Sequence, residues 1–230
     1  MAGKRDRKHV LVVGASRGLG LGLTKEFLRR GYHVTATVRA AISGAGLDEY
    51  YEQLTLDTLD INSPNLTEAF LARMKGQFFD AVVLNAGIYG PQGKNLSEVT
   101  TQEVSHVMMT NAINPVRLAE RLAPMLRPET GVLAFISSAL ASLELNADDA
   151  TPLYCASKAA LNRLSRAFAA THDYLTIVNL HPGWVRTDMG GPDAPLDVET
   201  SARGIADVLE QRAGSGGHEF LDYRGKIIPW

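Results

Sequence analysis

The sequence has little of several features that mark specialised classes of protein. A single cysteine, Cys155, occurs in 230 residues, so no disulfide can form within the chain and no multi-cysteine metal site exists. The formal net charge of -2 lacks the basic excess of a nucleic-acid-binding protein. No stretch approaches the roughly 20 consecutive apolar residues that cross a bilayer. These absences favour neither nucleic acid nor membrane as a partner, and the lone thiol fits a cytoplasmic location.

What the chain does contain is an alternation of short β-branched runs with helical patterns, without repeats or linkers. Its 45% hydrophobic content is enough for one large domain with a substantial core. The alternation predicts an α/β fold: a Rossmann-type, doubly wound parallel sheet of about seven strands with helices on both faces. The predicted strands are His9–Val13, Val34–Val38, Gln53–Leu56, Asp80–Leu84, Gly131–Ile136, Leu175–Leu180 and Glu219–Leu221.

Helical patterns cover the segments between these strands. Those with the clearest bounds are Pro64–Met74, Ser97–Leu126 and Val198–Gln211. In the second of them Pro115 removes a hydrogen bond to the preceding turn, which predicts a kink near Asn111. In the first, Leu66, Phe70 and Met74 are expected to face the core. We expect a single domain over residues 1–230, with a basic tail at 1–8 and a substrate-covering lid and helix at about 188–212.

A glycine-rich segment follows the first predicted strand. Gly14, Gly18 and Gly20 have the spacing GxxxGxG and lead into a helix. Glycines let the backbone approach a phosphate, and a helix N-terminus offers it free N–H groups and a positive dipole end. The spacing departs from the GxGxxG fingerprint, because Leu23 occupies the position of its last glycine. An ordinary tight turn is therefore the alternative to a phosphate-binding loop.

Arg39 follows the second predicted strand, about 20 residues beyond the glycines, where an acidic residue would bind the ribose 2′-hydroxyl of NAD. No acidic residue occurs between this strand and Asp48. Two guanidinium groups, those of Arg39 and Arg17, could instead bind a 2′-phosphate. The pair predicts NADP(H) in preference to NAD(H), with a solvated arginine as the alternative for Arg39.

Small or polar residues also follow the later strands. Asn85-Ala86-Gly87 ends the fourth strand and Ser138 follows the fifth. In open α/β sheets the carboxyl ends of the strands form the edge at which ligands bind. Asp57, at the end of the third strand, could cap a turn or hydrogen-bond an adenine amino group, and its spacing favours the cap.

Tyr154 and Lys158 are four residues apart in a helix-favouring stretch, so their side chains share one face. An ammonium about 4 Å from a phenolate would stabilise it by roughly 4 kcal/mol at an effective dielectric of about 20. Such an interaction would lower the pKa of the tyrosine towards the physiological range and let it act as a general acid or base. The pentapeptide by itself favours the alternative, a simple helix-surface pair.

The sequence resembles the short-chain dehydrogenase/reductase family, in its single-domain branch, across essentially the whole chain. It carries, in family order, GASRGLG from Gly14, NAG from Asn85, Asn111, Ser138, YCASK from Tyr154 and PGWVRT from Pro182. The segments HPGWVRTDMGGPDAP and DYRGKIIPW are most similar to carbonyl reductases of the Sniffer and C-factor type.

The resemblance implies reversible hydride transfer between NADP(H) and a small-molecule carbonyl or alcohol substrate. Tyr154 would give a proton to the carbonyl, Lys158 would lower the pKa of Tyr154 and bind ribose, Ser138 would hydrogen-bond the substrate oxygen, and Asn111 would hold a relay water. Asp57 would contact adenine, because LDTLD stands where the family has LDVTD. The cofactor contacts implied are Gly14, Ser16, Arg17, Gly18, Leu19, Gly20, Arg39, Asp57, Asn85, Ala86, Gly87, Tyr154, Lys158, Pro182, Gly183, Val185 and Thr187.

Several further expectations stay open at this level. The six histidines show no metal-ligand grouping, so no metal site is predicted. A non-catalytic NADP(H)-binding regulator on the same fold is the alternative function, and a monomer is the alternative to a family-like homodimer built on the long helices. The candidate pocket walls, for which core packing is the alternative, are Ile88, Tyr89, Leu140, Trp184 and Met189.

Replacing Arg39 by aspartate tests the predicted cofactor preference. Arg39→Asp should weaken NADPH binding by about 10- to 100-fold, because a charge-assisted hydrogen bond of about 1.5–3 kcal/mol is lost and a repulsive carboxylate is added. NADH should bind about as well as before, since a carboxylate can accept a hydrogen bond from its 2′-hydroxyl. Fluorescence titration of one preparation with each cofactor gives both Kd values. Equal losses for the two cofactors would contradict the 2′-phosphate assignment.

Overall fold

The computed structural model describes residues 7–39, 52–145 and 151–230. Within these residues seven strands form one sheet in the order β3-β2-β1-β4-β5-β6-β7, and every pair of neighbours is parallel. The strands are β1 (His9–Val13), β2 (His33–Val38), β3 (Leu54–Thr58), β4 (Ala81–Leu84), β5 (Val132–Ile136), β6 (Thr176–His181) and β7 (Gly217–Asp222). The predicted doubly wound fold is confirmed, and the strand order reverses direction between β1 and β4.

The α-helices of the described residues cover both faces of this sheet. They are α1 (Gly18–Arg29), α2 (Pro64–Met74), α3 (Thr101–Met108), α4 (Asn114–Leu122), α5 (Pro152–Ala170) and α6 (Val198–Arg212). Helices α1 and α6 pack with one core cluster, whereas α2, α4 and α5 pack with the other. None of these helices is both long and apolar enough to cross a lipid bilayer.

Strand β1 shows how the sequence produces this layered arrangement. Successive side chains of a strand point to opposite faces, so Val10 and Val12 join the core under α1 and α6 while Leu11 and Val13 join the core on the other face. All four are buried, as expected for a parallel strand that is covered on both sides. The continuous apolar run is therefore a consequence of burial on two faces.

The predicted interruption near Asn111 is confirmed as a π-helical turn, Met109–Ile113, between α3 and α4. Pro115 lies in the first turn of α4, where its missing N–H is tolerated. The wider π turn accommodates the proline ring without breaking the helical path. It also places the buried Asn111 side chain beside the segment that follows β4.

Some predicted boundaries and faces differ from the structure. The helix expected from Ser97 starts at Thr101, because Thr100 and Glu103 form a reciprocal capping box there. Leu66 was expected in the core but is 40% exposed, since the buried residues of α2 all lie in its second half. Residues 1–6 of the predicted tail lie outside the described residues, as do residues 146–150 before helix α5. The pairing of long helices in a homodimer stays a prediction.

Truncating Phe135 should measure the contribution of the core beneath α5. Phe135 is fully buried in β5 and contacts the ring of Phe168 edge-on, with centroids 6.3 Å apart. Phe135→Ala should lower the free energy of unfolding by about 3–5 kcal/mol, because the vacated volume is only partly refilled. The matched control is Phe78→Ala. Phe78 is 49% exposed, so this truncation should lower the free energy of unfolding by less than about 1.5 kcal/mol. Urea unfolding followed by circular dichroism gives both values, and equal losses would contradict the assigned core.

Candidate active site

A cavity of about 920 Å³ opens at the carboxyl edge of the sheet. Its walls come from the residues at and after the carboxyl ends of β1 to β6, together with Thr110 and the start of α5. This is the edge, and the strand-order reversal, at which open α/β sheets bind ligands. The predicted site residues that line it are Gly14, Ser16, Arg17, Gly18, Leu19, Arg39, Asn85, Ala86, Gly87, Ser138, Tyr154, Lys158, Pro182, Gly183, Val185 and Thr187.

The glycine loop at one end of the cavity requires glycine for steric reasons. Gly14 has a φ of 86°, and a Cβ there would lie 2.8 Å from the Cα of Ala86. Gly20 does not line the cavity: a Cβ on it would lie 2.0 Å from the carbonyl oxygen of Gly14, so this glycine lets α1 pack against the loop. Gly20 therefore supports the loop by close packing against its backbone. The sequence spacing alone could not distinguish that role from direct contact with a ligand.

The N-terminus of α1 adds an electrostatic preference to this loop. Its N-cap residue, Arg17, makes no side-chain capping hydrogen bond. The first-turn N–H groups are therefore not satisfied by a cap, and Gly18 and Leu19 line the cavity. Free N–H groups at the positive end of a helix dipole favour an anion. The loop has the shape and the donors that a phosphate group needs.

The two arginines predicted to bind a 2′-phosphate both line the cavity. Arg17 Nη1 forms an ion pair with Asp188 Oδ2 at 2.9 Å, which links the glycine loop to the segment after β6. Both side chains of this pair are highly exposed, so the pair contributes little stability and leaves the guanidinium free to exchange partners. Arg39 follows β2 directly.

Asp57 is not among the residues that line the cavity, and its contact with adenine stays a prediction. Its carboxylate receives hydrogen bonds from Arg73, with Nη2 to Oδ1 at 2.7 Å. Strand β3 continues to Thr58, beyond its predicted end, so the sheet edge is reached further along the chain. Asp60, the second aspartate of the LDTLD segment, lines the cavity instead.

Helix α5 carries Tyr154 and Lys158 on the face towards the cavity. The Lys158 ammonium lies 5.8 Å from the centre of the Tyr154 ring. The lysine is buried and its Nζ donates a hydrogen bond to the carbonyl oxygen of Ile136 at 2.8 Å. Burial lowers the pKa of Lys158 to about 8. The pair is therefore an internal one, and the surface-pair alternative is wrong.

The pKa of Tyr154 shifts in the direction opposite to the prediction. Burial raises it to about 12, although a hydrogen bond with Ser138 acts in the other direction. The ammonium of Lys158 is directed to the Ile136 carbonyl, and desolvation of the phenol outweighs what the lysine could supply. Tyr154 is consequently a neutral phenol at physiological pH in this structure.

Ser138 brings a second hydroxyl to the same place. It follows β5 and its Oγ accepts a hydrogen bond from the N–H of Leu140 at 3.2 Å. Its side chain acts to lower the pKa of the Tyr154 phenol, and both residues line the same cavity. Two hydroxyl groups in one cavity can serve as donors to a substrate oxygen.

Asn111 does not line the cavity, but it connects two of its walls. Its Oδ1 accepts a hydrogen bond from the N–H of Ile88 at 2.8 Å, and its Nδ2 donates to the carbonyl of Ile88 at 2.8 Å and to Ser157 Oγ at 3.0 Å. Ser157 Oγ in turn donates to the carbonyl of Tyr154 at 2.6 Å. Asn111 therefore ties the segment after β4 to α5, and its role as holder of a water stays a prediction.

A family model described as short chain dehydrogenase matches residues 8–195. The chain belongs to the short-chain dehydrogenase family. Among its relatives, C-signal of Myxococcus xanthus is 36% identical over 157 residues, which are 66% of this chain and 92% of C-signal. The family assignment fits the order of motifs along the chain and the geometry of the cavity.

Solved structures of similar proteins extend over nearly the whole chain. A short-chain dehydrogenase/reductase from Burkholderia multivorans with bound NADP is 42% identical, with a TM-score of 0.93, and the match covers 97% of this chain and 100% of that one. A carbonyl reductase from Pseudomonas aeruginosa in complex with NADP is 41% identical, with a TM-score of 0.90 and coverage of 98% and 100%. Carbonyl reductase Sniffer of D. melanogaster is 29% identical, with a TM-score of 0.85 and coverage of 97% and 100%.

The site of this short-chain dehydrogenase includes residues that sequence reasoning missed. Besides Asp60, the cavity is lined by Asn62 and Thr110, and Asn62 Nδ2 donates a hydrogen bond to Thr110 Oγ1 at 2.9 Å. His181 also lines it. The LDTLD segment and the polar residues directly after it were the available signal for Asp60 and Asn62. Thr110 had none, because the π turn that brings this buried residue to the cavity is a tertiary feature. The five candidate pocket walls, Ile88, Tyr89, Leu140, Trp184 and Met189, all line the cavity.

The stability of this short-chain dehydrogenase should depend on pH through Lys158. Below about pH 8 the lysine is protonated in both the folded and the unfolded state, so the cost of burying its charge is fully present. Between about pH 8 and 10.5 the folded state loses the proton first, so this cost disappears as the pH rises. The stability of the wild type relative to Lys158→Met should therefore increase by roughly 3 kcal/mol across this window. The same substitution at exposed Lys25 is the control.

Chemical denaturation of the cofactor-free proteins at several pH values between 7 and 10.5 measures this difference. Subtracting the free energy of unfolding of Lys158→Met from that of the wild type removes the contribution of the remaining titrating groups. A wild-type-minus-Lys158→Met difference that stayed constant over the window would contradict the assigned protonation behaviour.

Proposed function

We propose that the protein uses NADPH to reduce the carbonyl group of an aldehyde or ketone, reversibly with the alcohol, and that Tyr154 is the proton donor. One observation carries the proposal: Tyr154, Ser138 and the buried Lys158 line the same cavity that has a phosphate cradle at its other end. The carbonyl reductases among the similar structures support it. So does the NADP bound in the Burkholderia multivorans and Pseudomonas aeruginosa structures.

The residues present suit an NADP(H) molecule extended along the cavity. The pyrophosphate would lie on Gly14, Gly18 and the N-terminus of α1, and the 2′-phosphate would lie between Arg17 and Arg39. Asp57 and Asp60, of which Asp60 lines the cavity, are the residues proposed to contact adenine. At the other end Lys158 would hold the ribose, and the segment Pro182–Thr187 would face the nicotinamide. NADPH, when bound, supplies the hydride.

The chemistry of the protein concerns the carbonyl oxygen. Negative charge grows on this oxygen during reduction, and the O–H groups of Ser138 and Tyr154 are donors that stabilise it. Tyr154 then gives up its proton to complete the alcohol. The resulting phenolate is stabilised by the Lys158 ammonium, which helix α5 keeps 5.8 Å from the ring centre. Asn111 acts indirectly, because it holds the segment after β4 against α5.

The phenol of Tyr154 is protonated at neutral pH, because burial raises its pKa to about 12. The protonated phenol is the form that a general acid needs in carbonyl reduction, and the phenolate is the base for oxidation of the alcohol. The same residues therefore serve both directions of the reaction.

Replacing Tyr154 tests the mechanism. Tyr154→Phe keeps the ring and removes the proton, so kcat/KM for carbonyl reduction should fall by about 10²- to 10⁴-fold. NADPH oxidation, followed by its absorbance with a panel of aldehydes and ketones, measures the rate. The matched control is Tyr174→Phe, at a tyrosine that is 63% exposed and outside the cavity, which should leave the rate unchanged.

Two results would overturn the proposal in different ways. Undiminished turnover by Tyr154→Phe would remove Tyr154 from the proton-transfer step. Tight NADPH binding without turnover of any carbonyl or alcohol in a broad panel would favour the non-catalytic regulator instead.

A further inference from the structure

A second cavity, of about 370 Å³, adjoins the active site on the side of Tyr154. It lies between the segment that follows β4, the first residues of α5 and the segment 188–191. Its wall mixes polar and apolar residues, the apolar ones including Pro91, Leu96, Val99, Pro152 and Leu153. Nothing in the mechanism above uses this space.

Tyr89 and Tyr154 line both cavities. Their rings are stacked, with centroids 5.0 Å apart and planes inclined by 26°. One face of the Tyr154 ring is therefore covered by the ring of Tyr89. On this side, a substituent on a carbonyl held by Tyr154 and Ser138 would reach the second cavity past the Tyr89 ring.

The other residues shared by the two cavities are less suited to divide them. Tyr154 is held by α5 and is proposed to react, so it cannot move aside. On the opposite side, Asp188 is paired with Arg17 and the carbonyl of Gly190 accepts a hydrogen bond from Trp184 Nε1 at 2.7 Å. Met189 is 43% exposed and unbranched, so it yields to a ligand easily. Tyr89 is the large, rigid group on the dividing wall.

The second cavity also has a chemical preference. The charged side chain of the β4–α3 segment that lines it is Lys94, whose Nζ donates a hydrogen bond to the Glu103 carboxylate. This pairing neutralises the ammonium and leaves little attraction for an anionic group. The apolar side chains in its wall can contact an uncharged hydrocarbon or aromatic substituent.

We propose that Tyr89 is a specificity-determining residue: its ring closes the second cavity and so limits the size of the apolar substituent that the substrate carbonyl can carry. This inference rests on the proposed carbonyl reductase function and deepens it. It assigns the wild-type protein to carbonyl compounds with one compact substituent on the Tyr89 side. Removal of the ring should join the cavities and admit an aromatic group there.

The test compares two ketones that differ in one substituent, acetophenone with a methyl and benzophenone with a phenyl group. The measured quantity is the ratio of kcat/KM for benzophenone to that for acetophenone. Tyr89→Ala should raise this ratio about tenfold, the range by which a single apolar group changes specificity. The ratio is informative because any general disturbance of Tyr154 by the lost stacking lowers both rates and cancels.

Three variants serve as controls. Tyr89→Phe keeps the ring and should leave the ratio within about twofold of the wild type, and Tyr174→Ala makes the same truncation outside both cavities and should leave it unchanged. Adding Val99→Phe to Tyr89→Ala should refill the second cavity and return the ratio towards the wild-type value. NADPH titration and circular dichroism establish that each variant is folded. If Tyr89→Ala does not fold, Tyr89→Leu should give a rise in the same direction.

The possible failures are distinguishable. If the wild type reduces acetophenone but the ratio is unchanged in both Tyr89→Ala and Tyr89→Leu, the size filter is overturned and the proposed function stands. The size filter is also overturned if Tyr89→Phe or Tyr174→Ala raises the ratio as much as Tyr89→Ala does. If the wild type reduces no carbonyl in a broad panel, the proposed function fails and the inference fails with it.

Discussion

The hydrogen bond from the Lys158 ammonium to the carbonyl oxygen of Ile136 fixes helix α5 to the end of β5, and the arrangement of the active site depends on it. Burying an ammonium group is costly unless it is hydrogen-bonded, so the charge has few other positions available. Since Ser138 follows Ile136 by two residues, the contact that holds Lys158 also sets the distance between Tyr154 and Ser138. The placement of Tyr154 and Ser138 in one cavity is thus a consequence of where a buried charge finds its partner.

A buried polar network supports the same helix one turn further on. Asn162 Oδ1 accepts hydrogen bonds from Ser137 Oγ at 2.7 Å and from Asn179 Nδ2 at 2.6 Å, so α5 is joined to β5 and β6 at this level. Asn111 and Ser157 join its first turns to the segment after β4. Such networks are demanding in geometry because each buried polar group needs its partner. Helix α5 is consequently held by hydrogen bonds at several points along its length, and Tyr154 has little freedom to leave its position.

The glycine loop is constrained by steric exclusion instead. Gly14 approaches Ala86 after the neighbouring strand β4, Gly20 approaches the carbonyl of Gly14, and a Cβ at either place would overlap backbone atoms. This close packing brings the N-terminus of α1 and the end of β4 to one edge. The phosphate cradle and the reacting hydroxyl groups share a single cavity because strands β1, β4 and β5 are neighbours in the sheet.

The sequence by itself determined the fold, the edge of the sheet that carries the site and most of the residues that line the cavity. Apolar runs report burial, glycine spacing reports close backbone approach, and a spacing of four places Tyr154 and Lys158 on one face; all three are local properties. Only the tertiary structure decided that Asp60 lines the cavity in place of Asp57, because two additional residues in β3 move the sheet edge along the chain. It also decided that Asn111 ties two segments together, that Tyr89 covers the Tyr154 ring and that the pKa of Tyr154 rises. These properties depend on desolvation and on partners that are distant in sequence, which spacing along the chain does not encode.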